Sequence, residues 1–232
     1  SWGMHDIFRD QRYTCTTKVN KFTVNLDKPL DDLWNSIAPN KRKNIRKAIK
    51  KGVEVVQSHS HEDLLSFYRM LEASGERAVF TYPPLSEYEA AWKLYKPCKI
   101  FLAKSKGKDV AGVFIVIHGK TVYARAAGSL EEAWSARPND LLHWKVMEWA
   151  CERGFSKYHM GLVTEPVPAK GSHTWGVWRW KREWNGNLEI VRIFHKGLYL
   201  PQVSRAYASI ARCYEYLSPR QQRMISELLR HL

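Results

Sequence analysis

The chain predicts a mixed α/β fold: a central sheet of parallel and antiparallel strands flanked by helices. Three observations carry this expectation. Residues 99–128 read as three strands joined by tight turns at Lys106-Gly107-Lys108 and Gly119-Lys120, an antiparallel meander. A helix and a further strand follow, a crossover that makes parallel neighbours. Before the meander, apolar residues recur with a helical period of 3.6 rather than a strand period of 2.

The elements follow in order. Residues 1–20 are polar and weakly patterned, and residues 21–26 read as a short strand. Pro29 opens a helix with Leu30, Leu33, Trp34 and Ile37 on one face. Pro39 starts another, in which Ile45, Ala48 and Ile49 form the apolar stripe and Gly52 is the C-cap. "VEVVQS" is a strand. Residues 61–74 turn Leu64, Leu65, Phe67, Tyr68 and Leu71 inward, and Pro83-Pro84 break the chain before a helix over 86–95. Pro138 and Asp140 start the helix that Gly154 ends, with Asp140 as its N-cap. "SKYHMGL" and "NLEIVRIF" are the last strands, and helices over 202–216 and 219–232 close the chain. The expected organisation is an N-terminal segment (1–28), a basic helical segment (29–52), the main domain (53–200) and a C-terminal helical pair (201–232).

Composition bounds the function. With 232 residues, 44% of them hydrophobic, the chain builds a sizeable core. The longest apolar run, 110–117, falls far short of the ~20 residues of a membrane helix. Four cysteines without a CxxC pair predict free thiols in a reducing, cytoplasmic compartment, and no metal site. No GxSxG elbow is present, so a serine hydrolase is not expected. The net charge of +14 points to phosphate-bearing partners, nucleic acid or an anionic membrane surface.

Two stretches concentrate the chemistry. Residues 40–51 carry seven cations in twelve residues, among them Arg42, Lys43, Arg46, Lys47 and Lys50. They fit either phosphate neutralisation or a solvated face. In "GVWRWKREWNG", Trp178, Trp180 and Trp184 alternate with Arg179, Lys181 and Arg182. One reading is an amphipathic turn with packed indoles and a snorkelling lysine. The other is a cation in a dry aromatic pocket, with indole faces on which a nucleobase stacks.

The stretches "LWNSIAPNKRKNIRKAIKKGVEV", "KIFLAKSKGKDVAGVFIVIHGKTVYARAAGS", "RPNDLLHWKVMEWACERGFSKYHMG" and "GVWRWKREWNG" together resemble the Fem family. These are the peptidoglycan-bridge aminoacyl transferases, built on the GNAT acyltransferase fold, and the resemblance covers about residues 20–195. It implies aminoacyl-tRNA as donor co-substrate, no bound cofactor, and an amine of a peptide or cell-wall precursor as acceptor. Lys181 stands for the family's lysine near the developing oxyanion, and Trp180 for the phenylalanine before it. Arg77, Tyr123, Arg125 and Ser129 match positions lining the substrate cleft, with Trp178 beside the donor. Arg42, Lys43, Arg46, Lys47, Lys50, Arg179 and Arg182 would hold tRNA phosphates. Fem proteins carry two GNAT-like lobes. This length accommodates the second with the basic helix before it, so a first lobe is missing or supplied by another chain.

An acyl-CoA-dependent GNAT enzyme is the first alternative. Such enzymes hold the CoA pyrophosphate in a glycine-rich loop at a helix N-terminus. Here the loop is "GSLEEAWSARPND", with no glycine after Gly128 and with Glu131 and Glu132, which favours aminoacyl-tRNA. A non-catalytic tRNA- or RNA-binding module is the second.

Overall fold

The computed structural model describes residues 14–195, apart from 59, 79–80, 95–96, 165–167, 169 and 171–172. The expected C-terminal helical pair lies outside the described residues. In chain order the elements are β1 (Thr14–Asn25), α1 (Leu30–Ser36), α2 (Pro39–Lys50), β2 (Val53–Ser58), α3 (His61–Ala78) and α4 (Leu85–Leu94). Then come β3 (Cys98–Ser105), β4 (Lys108–His118), β5 (Thr121–Ser129), a 3₁₀ turn (Glu131–Ala136), α5 (Pro138–Glu152), β6 (Lys157–Thr164), α6 (His173–Arg182) and β7 (Asn187–His195). The strands form one mixed sheet in the order β2-β3-β4-β5-β6-β1-β7.

Turn chemistry fixes the meander. Lys106 (φ 50°) and Gly107 (φ 75°) are both left-handed, as a type I′ hairpin turn requires. The two hairpins set β3, β4 and β5 antiparallel, β2 joins the other edge of β3 antiparallel after the α3–α4 excursion, and the α5 crossover returns the chain so that β6 runs parallel to β5.

Each face of the sheet carries its own apolar cluster. On one face Leu33 of α1, Ile37 just after it, and Ile45 and Ala48 of α2, with Leu142 and Met147 of α5, pack against Phe101, Val113, Ile115 and Val122. On the other, Leu64, Phe67 and Leu71 of α3 and Tyr88 of α4 pack against Ile100, Leu102, Phe114 and Ala126. Covering both faces is why β3 and β4 read as nearly continuous apolar runs. The chain divides into two compact units, Lys21–Glu189 and Ser1–Asn20 with Ile190–Leu232. Helix α2 shares the core of the first unit through Ile45 and Ala48, and of its cations Lys41 alone lies fully buried on that same inner face.

Three local expectations are corrected. The first strand starts at Thr14 rather than at residue 21. The tryptophan block is the end of a helix, α6, through Arg182, and only its last part, Glu183 to Asn185 with Trp184, is a turn. Arg137 (φ 60°), not Asp140, occupies the N-cap position of α5; its guanidinium has no acceptor with which to cap, and Asp140 lies inside the first turn with its carboxylate on Lys41.

Strand β5 carries a bulge. Ala124 pairs with Ile115 and Ala126 with Phe114, leaving Arg125 as an extra residue. Ala124 consequently belongs to the α5-side cluster and Ala126 to the α3-side cluster.

At Gly128 the strand meets α3 backbone to backbone: a Cβ there would lie 2.6 Å from the Leu71 backbone. Neither main chain yields as a side chain would, so Gly128→Ala is expected to lower stability by about 3 kcal/mol in urea unfolding. Gly52 is left-handed (φ +72°) but opens onto empty space, so Gly52→Ala should cost only about 1 kcal/mol.

Candidate active site

Parallel pairing between β5 and β6 covers Thr121 with Lys157, Val122 with Tyr158 and Tyr123 with His159, and no further. Both strands run on, to Ser129 and Thr164, so they part after Tyr123 and His159. The ammonium of Lys181 sits where they part. Its Nζ donates to the Leu162 carbonyl at 3.1 Å. A Cβ at Gly161 would lie 3.4 Å from that Nζ and 3.6 Å from the Ala124 carbonyl, so the cation is close to both strands. Lys181 is 9% exposed. Burial pulls its pKa down to about 8, so it is charged at neutral pH and loses its proton on mild alkalinisation.

Helix α6 is held by an ion cluster that sequence reading missed. Lys41 is 0% exposed. Its Nζ donates to Asp140 Oδ1 at 2.7 Å and pairs with Glu183 Oε2 at 3.2 Å. It lies 4.5 Å from the Trp180 ring centre and 5.1 Å from that of Trp184. Trp180 Nε1 donates to the same Asp140 oxygen at 2.7 Å. The available signal was the spacing Lys41, Ile45, Ala48, which puts the lysine on the buried face of α2.

Two neutral histidines line this region. His143, one turn after Asp140, has its ring 5.0 Å from Trp180 and its Nδ1 hydrogen-bonded to the Tyr158 hydroxyl at 2.7 Å. Burial first, then the Lys181 and Lys41 charges, lower its pKa to about 3. His159 accepts the Gly161 amide on Nδ1 at 3.0 Å, with its ring 5.2 Å from Tyr123. Burial, then Lys21, lowers its pKa to about 4. Neither was marked from the sequence, because only tertiary packing distinguishes them from surface histidines.

The structure places the sequence-predicted residues unequally. Arg77 and Ser129 meet, but on each other: Arg77 donates to the Ser129 carbonyl at 2.5 Å and to Ser74 Oγ at 3.0 Å, and lies over the Trp134 ring at 5.2 Å. Ser129 Oγ accepts from Trp134 Nε1 and Asn139 Nδ2, both at 3.0 Å. This knot pins the loop between β5 and α5 and leaves Trp134 44% exposed. Tyr123 stands at the parting of the strands. Arg125 is exposed on the bulge, and its charge opposes the burial that pushes the Tyr88 phenol up to about 12.

Trp178 is packed rather than presented. It stacks on Trp175 at 5.0 Å, meets Phe22 edge-on at 6.4 Å and carries Arg182 over its ring at 4.9 Å. The guanidinium of Arg42 is likewise committed, donating to the carbonyls of Trp34, Asn35 and Ile37 at the end of α1. Lys43, Arg46, Lys47 and Lys50 remain exposed on a helix without acidic residues, with Arg46 over Trp34 at 5.3 Å, and Arg179 is exposed on α6. Among the described residues no group of three or more His, Cys, Asp or Glu could hold a metal ion, and no helix is long and apolar enough to cross a membrane.

Comparison with known proteins adds to this geometry. The family described as an acetyltransferase (GNAT) domain matches residues 39–182. The chain is 21% identical over 250 residues to the lipid II:glycine glycyltransferase of Staphylococcus saprophyticus, covering 80% of this chain and 58% of that protein. For the Staphylococcus aureus protein of the same name the figures are 21% over 267 residues, 81% and 63%. The chain thus spans about six-tenths of the length of these curated relatives. Among solved structures, FemX matches with a TM-score of 0.66 at 20% identity, over 73% of this chain and 59% of that one. L-PGS from Bacillus licheniformis matches with a TM-score of 0.58 at 12% identity, over 89% and 68%. These likenesses bear out the fold and the resemblance read from the sequence.

The ion cluster makes a direct prediction. Lys41→Met leaves the Asp140 and Glu183 carboxylates without their buried counter-charge, and should cost about 3–5 kcal/mol in urea unfolding. Lys41→Met combined with Asp140→Leu should recover part of that loss, a coupling that a double-mutant cycle measures.

Proposed function

The chain belongs to the acetyltransferase (GNAT) domain family, and from that premise we propose that it transfers an aminoacyl group from aminoacyl-tRNA to an amine of a peptide or cell-wall-precursor acceptor. The observation that carries this reading is the buried Lys181 ammonium between the parted strands β5 and β6. The relatives named as lipid II:glycine glycyltransferases make glycine the first donor to test and a lipid-linked muropeptide the first acceptor.

The chemistry asks little of the protein beyond placement and charge. The acceptor amine, free of its extra proton, attacks the ester carbonyl. A C–N bond forms and the carbonyl oxygen becomes an oxyanion. The ester C–O bond then breaks, and the terminal ribose hydroxyl leaves with the proton that the amine gives up. The ester is already activated, so no protein nucleophile is required. Lys181 stabilises the oxyanion in a low-dielectric setting, where a fixed charge contributes several kcal/mol. Trp180, hydrogen-bonded to Asp140, fixes the turn of α6 that carries Lys181.

The donor choice rests on the loop between β5 and α5. In an acyl-CoA enzyme the amides of this loop cradle a pyrophosphate. Here Gly128 is spent on the close approach to α3, the following residues form a 3₁₀ turn with Glu131 and Glu132, and Pro138 removes an amide from the first turn of α5. The exposed Lys43, Arg46, Lys47 and Lys50 offer tRNA a phosphate-binding face. A tRNA donor places the reaction in the cytoplasm, and that basic face also suits contact with an anionic membrane, where a lipid-linked acceptor would lie. The acetyltransferase family match itself favours the second reading, acyl-CoA as donor.

A transfer assay with charged tRNA pools, acetyl-CoA and muropeptide amines tests the reading; turnover of acetyl-CoA with none of aminoacyl-tRNA would overturn it. Lys181→Met should lower transfer by about a hundredfold while leaving the melting temperature in place. The wild-type rate should fall as pH rises through about 8, where Lys181 loses its proton, and Lys181→Arg should shift that limb to higher pH. Replacing Lys43, Arg46 and Lys47 by glutamine should flatten the log–log salt dependence of tRNA binding by roughly 0.7–0.9 for each phosphate no longer neutralised. An unchanged slope would return α2 to a solvated face.

A further inference from the structure

The histidine on β6 has a chemically defined state. His159 is the last residue of β6 paired with β5, and it is 8% exposed. Its neighbours Tyr158 and Met160 face the α5-side cluster, so strand alternation turns His159 to the opposite face. Lys181 arrives from α6, whose Trp178 packs in the α5-side cluster. The two side chains therefore approach the parting from opposite faces of the sheet, with Gly161 between them: its amide bonds the histidine, and its Cβ position is 3.4 Å from the lysine Nζ.

A backbone amide only donates. The 3.0 Å bond from Gly161 N–H to His159 Nδ1 therefore fixes Nδ1 as the acceptor. In a neutral ring the proton must then sit on Nε2. Gly161 reaches this arrangement with φ +80°, a conformation that favours glycine. The charged groups around the ring are Lys181 and Lys21, the latter paired with Glu189 at 2.9 Å, and the Tyr123 ring stands 5.2 Å away. Burial, then Lys21 and Lys181, disfavour an imidazolium and outweigh a backbone hydrogen bond and Glu189, which favour it, so the ring stays neutral at physiological pH.

We propose that His159 Nε2–H is a second hydrogen-bond donor to the acyl oxygen, acting with Lys181 across Gly161. The inference rests on the acyl-transfer reading. As the C–N bond forms, the carbonyl oxygen takes the electron pair and both donors hold it. As the ester C–O bond breaks, the pair returns to the carbonyl and both donors keep their protons. His159 is not the base that frees the amine, because its one lone pair is already held by Gly161.

Two measurements on the full chain test this. Imidazole ¹⁵N NMR should show His159 as the Nε2–H tautomer at pH 7, unprotonated down to about pH 5. An Nδ1–H tautomer, or an imidazolium at pH 7, overturns the proposal whatever the substrate. In the transfer assay, His159→Phe keeps a ring beside Tyr123 and removes the donor. Its kcat should fall by about a hundredfold with KM and melting temperature unchanged, and His159→Gln, which restores an N–H, should recover much of the loss. If the wild type transfers and His159→Phe keeps its kcat, or changes only KM or stability, the proposal fails and the acyl-transfer reading stands. If the wild type uses no aminoacyl-tRNA, that reading fails first and takes this one with it.

Discussion

One buried ammonium holds the functional side of this molecule together. Lys41 reaches from the first turn of α2 to Asp140 in the first turn of α5 and to Glu183 just beyond α6, three elements far apart in sequence. The Lys41 amine and the Asp140 carboxylate have left bulk water, the Glu183 carboxylate only in part, and the indoles of Trp180 and Trp184 replace part of the lost solvation. Such a cluster adds little to net stability compared with well-packed apolar residues, but it tolerates few alternative arrangements. That matters for α6, a ten-residue helix too short to hold itself in place. The position of Lys181 between the strands is inherited from Lys41.

The same helix α2 thus has two electrostatic lives. Its inner side supplies the anchor, while its outer side is a row of cations uninterrupted by any acid. Arg42, between them, closes the carbonyl end of α1. Buried, carbonyl-capping and exposed charges are interleaved one residue apart at Lys41, Arg42 and Lys43, so charge density along this helix does not separate structural cations from solvent-facing ones.

Where pattern is local, the sequence was legible. The stripe Ile45, Ala48 identified α2, the repeat Leu64, Phe67, Leu71 identified α3, and Lys106-Gly107 marked a hairpin turn that the structure contains. The tryptophan block misled because Trp178 and Trp180 stand two apart, a strand-like or turn-like rhythm. On a helix they point to different sides, Trp178 to the core and Trp180 to Lys41. Lys41 itself was hidden because its partner Asp140 lies 99 residues away. Arg77 and Ser129 were both singled out, and they do come together, but as a mutual clasp on the β5–α5 loop that residue types alone could not foretell.

The bulge at Arg125 separates what a strand usually joins. Chain arithmetic gives β5 nine residues, yet the sheet counts eight, since Arg125 has no opposite number on β4. Everything before it and everything after it keeps the parity that the two cores demand, with Ala124 committed to one side and Ala126 to the other. The residue at this place answers to neither core. It is a free variable on an otherwise fully specified strand, and its side chain can be exchanged without renegotiating the fold beneath.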